Sequence, residues 1–447
     1  MKHLSFLILI MCFSFGFAQN TPTSLSLQDA IDYALEHNRT AVNALQDIAV
    51  AKQQKWETTA SGLPQISARA DYQNFLKQQV SVIPAEIFGG PAGEFQDVIF
   101  GTQQSANVFA TLDQKIFDGS YLVALQSAKV FLEISRNAKT KTDLEVRKAV
   151  IDAYGNVLLA EESITILNRN ISVLEKNLFE TTKIYENGLG EEEAVEQLQI
   201  TLSGVQSNLN NVNRLKTLAY QMLNITLGLD VYDTISLTDN LETLAQNNTS
   251  LALLDSENKP ENTIDYRIAA NDTKAKSLMV KLEKSKALPT INAFLNGGYS
   301  AFSNDFTFLN NDQRWFGSSL FGLNLSIPIF SSGMRSASTQ RAKINLEKAK
   351  TDLTETEQRI KLQIASAKSD YKFAIEDYAN KKQNLALAER IETKNQTKFF
   401  EGIGSSFELR QAQTQLYAAQ QDVLQAMLDV INSKAALETI LNTPINN

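Results

Sequence analysis

The chain repeats itself once, and each copy contains an unusually long stretch without helix-breaking residues. The motif Tyr185–Gly190 (Tyr-Glu-Asn-Gly-Leu-Gly) recurs 214 residues later as Phe399–Gly404 (Phe-Phe-Glu-Gly-Ile-Gly). Before these motifs, Ser120–Asn187 contains no proline and one glycine, and Arg335–Glu401 contains neither. At ~1.5 Å per residue, each stretch predicts a helix about 100 Å long, which an ordinary globular domain cannot accommodate.

Apolar residues follow the same spacing in both long stretches. Steps of four and three alternate, and their average of about 3.5 is typical of coiled coils. In the first half the stripe consists of Val146, Val150, Ala153, Val157, Ala160, Ile164, Leu167, Ile171, Leu174 and Leu178. The positions 214 further on are Ile360, Ile364, Ala367, Tyr371, Ala374, Tyr378, Lys381, Leu385, Ala388 and Glu392. Because eight of these ten are apolar or aromatic, both long helices are predicted to pack along one seam.

The remaining segments predict shorter helices and strands around each long helix. The shorter helices are Leu27–Ala60, Glu191–Leu227, Ile264–Lys286 and Phe407–Leu441. Alternating residues predict four strands, at Gln65–Tyr72, Asn107–Phe117, Thr290–Tyr299 and Phe321–Ile329, joined in pairs by loops at Ile87–Gly101 and Ala301–Phe316. These patterns divide the chain into repeats at 19–229 and 263–442, a linker or small accessory element at 230–262, and a C-terminal tail at 443–447.

The N-terminus has the pattern of a secretory signal peptide. Lys2 precedes an apolar run, and small residues precede a cleavage point after Ala18. Cys12 follows Met11 rather than a small residue, so a lipoprotein site is not expected. No later segment has the ~18 consecutive apolar residues of a transmembrane helix. We therefore expect an exported protein in which any membrane crossing is made by strands.

Composition argues against catalysis and against nucleic-acid binding. The formal charge is −8, which disfavours polyanionic partners. The chain has one cysteine and two histidines, His3 and His37, which removes most nucleophile–base pairs and zinc sites. The glycines at Gly188–Gly190 and at Gly297–Gly298 are not part of a strand–helix phosphate-binding motif, so nucleotide binding is not expected. The sequence predicts no enzyme and no cofactor.

Four strands pose a closure problem. A barrel around a lumen needs about eight, so either the strands form a soluble sheet or several copies pool them. Aromatic residues lie near the strand ends, where a barrel in a membrane carries aromatic girdles. They are Tyr72, Phe75, Phe117, Tyr121, Tyr299, Trp315, Phe316 and Phe330. Together with the signal peptide, they favour a pooled barrel.

These motifs, duplicated and in order, resemble the TolC-like outer-membrane efflux protein family along nearly the whole mature chain. The resemblance lies in the Leu-Pro-x-Ile strand entries at Leu63 and Leu288, the strand exit Leu325–Gly333 and the two glycine turns. It implies a mixed α and β membrane protein that forms a homotrimer. Each chain would add four strands to a twelve-stranded outer-membrane β-barrel and its coiled-coil-like helices to a periplasmic α-barrel. It also implies a channel in the outer membrane of a Gram-negative bacterium, in contact with lipid, that exports small molecules or proteins. Its partners would be a periplasmic adaptor and an inner-membrane transporter.

The turns that end the long helices are the candidate docking tips for the adaptor. Each turn combines a glycine, which can reverse the chain, with an aliphatic residue and a second glycine. The tips are Gly188, Leu189, Gly190, Gly402, Ile403 and Gly404. Leu189 could instead pack on Ile184 as the hydrophobic contact of a helix cap, whereas the equivalent partner of Ile403 is Lys398. In the family these turns meet the adaptor.

Side chains just after the turns are the candidates for the periplasmic aperture. They are Glu191, Glu192, Glu193, Glu408 and Gln411. Acidic residues at helix N-termini also stabilise the helix, and Ser405 with Glu408 fits a capping box. The family's constricting aspartates fall six and nine positions after the turn glycine. Here those positions hold Ala194 and Gln197, then Glu408 and Gln411, so only one keeps a carboxylate.

Two other classes of protein are considered beside the channel. A periplasmic coiled-coil adaptor or scaffold without a pore would share the helices but not the four strands with aromatic ends. A secreted carboxylate-dependent hydrolase would show a globular pattern with paired acids in loops, which this sequence lacks.

Overall fold

The computed structural model describes residues 24–255 and 259–442. In this part the helices are α1 (Leu27–His37), α2 (Arg39–Ala60), α3 (Gly119–Glu186), α4 (Glu192–Leu227), α5 (Leu241–Asn247), α6 (Ala252–Asp255), α7 (Ile264–Ser285), α8 (Met334–Phe400) and α9 (Ser406–Leu441). The strands are β1 (Ser24–Leu25), β2 (Gln65–Asn74), β3 (Val80–Pro84), β4 (Phe95–Ile99), β5 (Gln104–Asp118), β6 (Ser236–Leu237), β7 (Thr290–Ser303) and β8 (Trp315–Ser326). The predicted signal peptide (1–18) and C-terminal tail (443–447) lie outside the described residues.

The two long helices are confirmed. Helix α3 has 68 residues and α8 has 67, and each begins and ends one residue before the predicted bounds. None of the helices in the described part of the chain combines the length and the apolar character that a membrane crossing demands.

The chain divides into two compact units, and each draws on both sequence halves. The helical unit contains the described residues of Met1–Ile48, Ser135–Ala269 and Leu353–Asn447. The sheet unit contains Ala49–Ile134 and Ala270–Asp352.

The predicted stripes form the core of the helical unit. Six of the ten positions on α3 and seven of the ten on α8 are buried. They are Val146, Val150, Val157, Ala160, Leu167, Leu174, Ile360, Ile364, Ala367, Tyr371, Ala374, Tyr378 and Ala388. The coiled-coil spacing therefore identified the buried seam of both long helices correctly.

The segment between the halves is an ordered element that packs on both long helices. Strand β6 pairs in parallel with β1, with Leu25 opposite Leu237. The buried hydroxyl of Tyr154 on α3 donates to Asp239 Oδ2 (2.9 Å), which also accepts from the backbone N–H of Leu27 (2.6 Å). The hydroxyl of Tyr371 on α8 donates to the carbonyl of Asn248 (2.6 Å). One buried tyrosine from each long helix thus holds this segment.

The first predicted helix is wrong in one respect, because Leu27–Ala60 breaks at Asn38. The backbone there is extended (φ −59°, ψ 129°), and the side chain takes over the hydrogen bonding. Its oxygen accepts from the N–H of Thr40 (2.8 Å), and its Nδ2 donates to the carbonyl of Thr226 (2.7 Å). Asparagine bonds in this way to nearby backbone, which favours a helix boundary.

The sheet unit contains one four-stranded antiparallel sheet, in the order β2–β5–β7–β8. The four predicted strands are the four strands of this sheet. Pairing runs from Gln65 opposite Asp113 in β2–β5 to Thr290 opposite Ser326 in β7–β8. Within the described residues, β2 and β8 have one paired edge each, so both outer edges present unpaired N–H and C=O groups.

Neither face of this sheet is covered by the sheet unit. Large apolar side chains stand exposed along the strands, which a soluble sheet would bury against a second layer. They include Ile66, Tyr299, Leu320, Phe321, Leu323 and Leu325. All of these except Leu320 share one face of the sheet, so the sheet has two open edges and one exposed apolar face.

Two strand predictions need correction. Strand β8 runs from Trp315 to Ser326 rather than from Phe321 to Ile329, so it begins inside the predicted loop Ala301–Phe316. It ends early because Pro328 has no N–H for a ladder. Instead, the carbonyl of Pro328 accepts from the Arg335 guanidinium (2.6 Å). The predicted loop Ile87–Gly101 also contains strand β4, which pairs with β3 in a separate two-stranded ribbon.

The Tyr154 hydroxyl gives a direct test of the core between α3 and the ordered segment. Tyr154→Phe leaves the half-buried Asp239 carboxylate without one donor, so the free energy of unfolding should fall by about 1–3 kcal/mol. Tyr232→Phe, at an 81% exposed side chain, is the matched control and should leave stability unchanged. Thermal unfolding of the detergent-extracted protein measures both, and equal stabilities would contradict the assignment.

Candidate functional site

The first tip is a Schellman turn between α3 and α4. Gly188 adopts the left-handed conformation (φ +72°), and its N–H donates to the carbonyl of Tyr185 (2.8 Å). The N–H of Leu189 donates to the carbonyl of Ile184 (3.0 Å). This pair of bonds satisfies carbonyls that a helix end otherwise leaves free. A residue with a side chain would be strained at Gly188, because its backbone angle is positive.

The second tip repeats this geometry between α8 and α9. Gly402 has φ +75°, and its N–H donates to the carbonyl of Phe399 (3.1 Å). The N–H of Ile403 donates to the carbonyl of Lys398 (3.0 Å). The sequence repeat therefore corresponds to two copies of one backbone structure.

The aliphatic residues of the tips stand in the open. Leu189 is 82% exposed and Ile403 is 73% exposed. At this exposure Leu189 can have little contact with Ile184. Its side chain therefore does not serve mainly as the hydrophobic contact of a helix cap. Both tips present an uncovered aliphatic side chain at the end of a rigid hairpin.

The second glycine of each tip lets the chain pass close to the helix that it leaves. A Cβ atom at Gly190 would lie 3.0 Å from Ile184 Cγ2. At Gly404 it would lie 2.9 Å from Lys398 Cβ and 3.2 Å from the backbone N of Phe399. Any larger residue would push the returning chain away from the helix end.

Three carboxylates of the first tip lie exposed at the start of α4. Glu191 occupies the N-cap position without a side-chain hydrogen bond to the helix, and Glu192 and Glu193 fall in the first turn. Glu193 accepts from Gln197 Nε2 (2.7 Å). Three negative charges therefore cluster at one helix N-terminus, which favours each of them modestly.

The second tip ties its carboxylate to its own helix. The predicted capping box of Ser405 and Glu408 is confirmed: the N–H of Glu408 donates to Ser405 Oγ (3.2 Å), and the N–H of Ser405 donates to Glu408 Oε2 (3.1 Å). Gln411 is exposed one turn further on. The two tips thus share a backbone but differ in how freely their carboxylates can move.

The sequence did not predict that buried polar residues lie between the helices behind the tips. Asn177 on α3 is 1% exposed, and its Oδ1 accepts from Gln396 Nε2 on α8 (3.0 Å). Further along, Asn170 Nδ2 donates to Gln420 Oε1 on α9 (2.8 Å). Asn177 Nδ2 and Thr181 Oγ1 are buried, and neither has a hydrogen-bond partner among residues 24–255 and 259–442. In the sequence, the two polar positions of the second stripe, Lys381 and Glu392, were the only indication that the buried seam contains polar as well as apolar residues.

Glu392 is the titratable member of this interior. Burial raises the pKa of its carboxyl above the ordinary value. Burial also raises the pKa of Tyr417, and the charge of Glu392 adds to the effect. A half-buried carboxylate in this position keeps less of the water that usually stabilises its charge.

The only histidine within the described residues, His37, packs against its own helix. His37 stacks on Tyr33, with ring centroids 4.0 Å apart, and its Nδ1 lies 2.9 Å from the carbonyl of Tyr33. Among the described residues, no group of three or more His, Cys, Asp or Glu side chains is arranged to hold a metal ion.

The long paired helices and the open four-stranded sheet define the class of an outer-membrane channel subunit. A family model described as "Outer membrane efflux protein" matches residues 30–229 and 261–443. The chain belongs to this family, and it is a protein of the Gram-negative outer membrane that extends into the periplasm. None of the curated proteins compared with it matches its sequence.

Solved structures share the fold at low sequence identity. The channel protein CusC is 18% identical, with a TM-score of 0.74 over 96% of this chain and 95% of that chain. VceC from Vibrio cholerae is 16% identical, with a TM-score of 0.71 over 93% and 96%. The outer-membrane channel CmeC from Campylobacter jejuni is 17% identical, with a TM-score of 0.71 over 93% and 85%.

Glu392 predicts a pH-dependent stability. The folded chain holds this proton more tightly than the unfolded chain, so the carboxyl costs stability as pH rises above the ordinary glutamate pKa. Glu392→Gln should therefore raise the melting temperature at about pH 8 and have little effect at about pH 4, where glutamate is largely protonated. Glu389→Gln, at an exposed position on the same helix, is the control. An equal gain at both pH values would show that the charge is not responsible.

Proposed function

We propose that three copies of this chain form one outer-membrane channel that exports small molecules or proteins. In this assembly each copy contributes its four strands to a common barrel and its long helices to a periplasmic tunnel. A periplasmic adaptor and an inner-membrane pump complete the export route.

The observation that carries this proposal is the unfinished sheet. A bilayer requires every backbone N–H and C=O group to be paired within protein, so a sheet with two open edges cannot cross it alone. β2 and β8 run antiparallel, as the order β2–β5–β7–β8 requires, so the β8 edge of one copy can pair with the β2 edge of the next. Three copies reach the strand number that surrounds a lumen, whereas one copy does not.

The alternative is a periplasmic adaptor or scaffold without a pore. It accounts for α3 and α8 but leaves the exposed apolar face of the sheet, which carries Ile66, Phe321 and Leu323, without a role. An aqueous protein would expose this face at a large cost in free energy. The channel is therefore the better assignment.

The domain division follows the repeat. We assign 19–229 and 263–442 as structural repeats of one ancestral unit, and 230–262 as an equatorial element between them. The equal backbone of the two tips and the shared register of the two buried stripes support this division.

The tips are the proposed contact with the adaptor. Leu189 and Ile403 are exposed aliphatic side chains on rigid turns, and the flanking glycines allow the backbone of another protein to approach closely. A helical hairpin of a partner could bury both side chains without rearranging either turn.

Bulky changes at the tips should block docking. Replacing Gly188 and Gly402 with tryptophan should abolish co-purification of the adaptor while the trimer persists on native gels. Because these positions have positive φ, the companion variant Leu189→Asp with Ile403→Asp changes only the exposed side chains and should give the same loss. Tyr232→Asp, exposed elsewhere on the helical unit, is the control. Undiminished adaptor binding by both tip variants would contradict the assignment.

The exposed carboxylates behind the first tip are the proposed aperture ring. Threefold symmetry would place Glu191, Glu192 and Glu193 of each copy around one mouth, where they attract cations. Glu408 and Gln411 would line the same mouth, with Glu408 restrained by its capping box.

Charge removal should alter ion selectivity in planar bilayers. Glu191→Gln, Glu192→Gln and Glu193→Gln combined should lower cation selectivity, and the effect should be larger at low salt, where screening is weak. Glu408→Gln should have a smaller effect, because its carboxylate is held at its own helix terminus. Unchanged selectivity in the triple variant would reduce these residues to stabilisers of helix α4.

A further inference from the structure

The ribbon formed by β3 and β4 has one face that nothing in the sheet unit covers. Residues opposite each other in an antiparallel ladder share a face, which places Val80 with Ile99, Val82 with Asp97, and Pro84 with Phe95 on one side. All six side chains are exposed, and Phe95 is 70% exposed. A two-stranded ribbon is marginally stable alone in water, so an apolar face of this kind calls for a partner.

The ribbon continues the β2–β5 hairpin at one end of the sheet. Strand β2 ends at Asn74, β3 begins at Val80, and after β4 the chain enters β5 at Gln104, opposite Asn74. The outer strand of this hairpin, β2, is an edge strand, so the ribbon extends a hairpin whose pairing is incomplete on one side. At the opposite edge, β8 begins at Trp315, and its antiparallel course puts this start at the same end of the sheet as Asn74.

Charge distinguishes the possible occupants of the ribbon face. Asp97 lies in the middle of the apolar face, opposite Val82. Across residues 24–255 and 259–442, its carboxylate has neither an ion-pair partner nor a side-chain hydrogen bond. A carboxylate in this position disfavours contact with lipid chains, where burying a charge is costly. A protein surface that carries a cation fits better.

The matching cation lies at the other edge. Arg314 directly precedes β8, is exposed and stacks its guanidinium over Phe316 at 4.8 Å from the ring centroid. In the described part of the chain it too has no ion-pair partner. Within one chain, β2 and β8 are separated by three strand spacings, about 14 Å, so the two charges lie towards opposite edges of the sheet, at the same end.

We propose that the apolar face of the β3–β4 ribbon docks on the next copy of this chain, against the start of its β8, and that Asp97 pairs there with Arg314 of that copy. This interface rests on the proposed trimer and extends it beyond strand pairing. Each ribbon would cover one seam of the barrel, so that the copies interlock outside the strands as well as along them.

Engineered disulfides test this contact. In a Cys12→Ser background, the introduced thiols are the only ones in the chain. Asp97→Cys with Arg314→Cys should give oxidised oligomers on non-reducing gels of outer membranes. The matched control, Gln96→Cys with Arg314→Cys, moves one residue along β4 to the opposite face of the ribbon and should cross-link several-fold less. Native gels of the same samples report the number of copies.

The outcomes separate the interface from the trimer. A native trimer with no more cross-link for Asp97 than for Gln96 would overturn the interface and leave the proposed function intact. A native monomer would overturn both. Charge reversal gives a second measurement: Asp97→Arg or Arg314→Asp should each lower the temperature at which trimers dissociate in detergent, and the double reversal should restore it. A double variant no more resistant than the singles would also contradict the pairing.

Discussion

Backbone hydrogen bonding at the sheet edges is the constraint on which the rest of this structure depends. In the part of the chain that the structure describes, strands β2 and β8 each leave one row of N–H and C=O groups without partners. In water such edges invite aggregation, and in a bilayer they are prohibitively costly. The exposed apolar face of the sheet adds a second requirement, which lipid would meet in the proposed channel. In that channel each chain would be one part of a larger assembly that completes the sheet edges.

The long helices solve a different problem with a simple repeat. A spacing of 3.5 keeps one stripe of side chains buried along the helical unit, from Val146 to Leu174 on α3 and from Ile360 to Ala388 on α8. Hydrogen bonds from Tyr154 and Tyr371 then hold the segment between the halves against the two long helices, beside the apolar core. Towards the tips the seam becomes polar at Asn177 and Glu392. Buried polar contacts add less stability than apolar packing but restrict how the helices align.

The sequence could predict what depends on local pattern. Period and composition identified both long helices, the strands of the main sheet and the Schellman glycines, because each has a signature within a short window. The ribbon was missed because Val80–Pro84 has only five residues and Phe95–Ile99 follows a glycine-rich turn. The polar interior was missed for a different reason: Asn177 and Thr181 look like solvent-facing residues until a second helix is placed against them. Contacts between distant residues, such as Tyr154 with Asp239, have no local signature at all.

The number of chains in the detergent-extracted protein tests the central claim most directly. Light scattering combined with absorbance gives the mass of the protein in the complex, apart from bound detergent. We expect a stable particle of three chains, because the two open edges of each sheet would be paired by closure with other copies. A stable, folded monomer under the same conditions would contradict it, since such a monomer would have to satisfy the edges of β2 and β8 by itself.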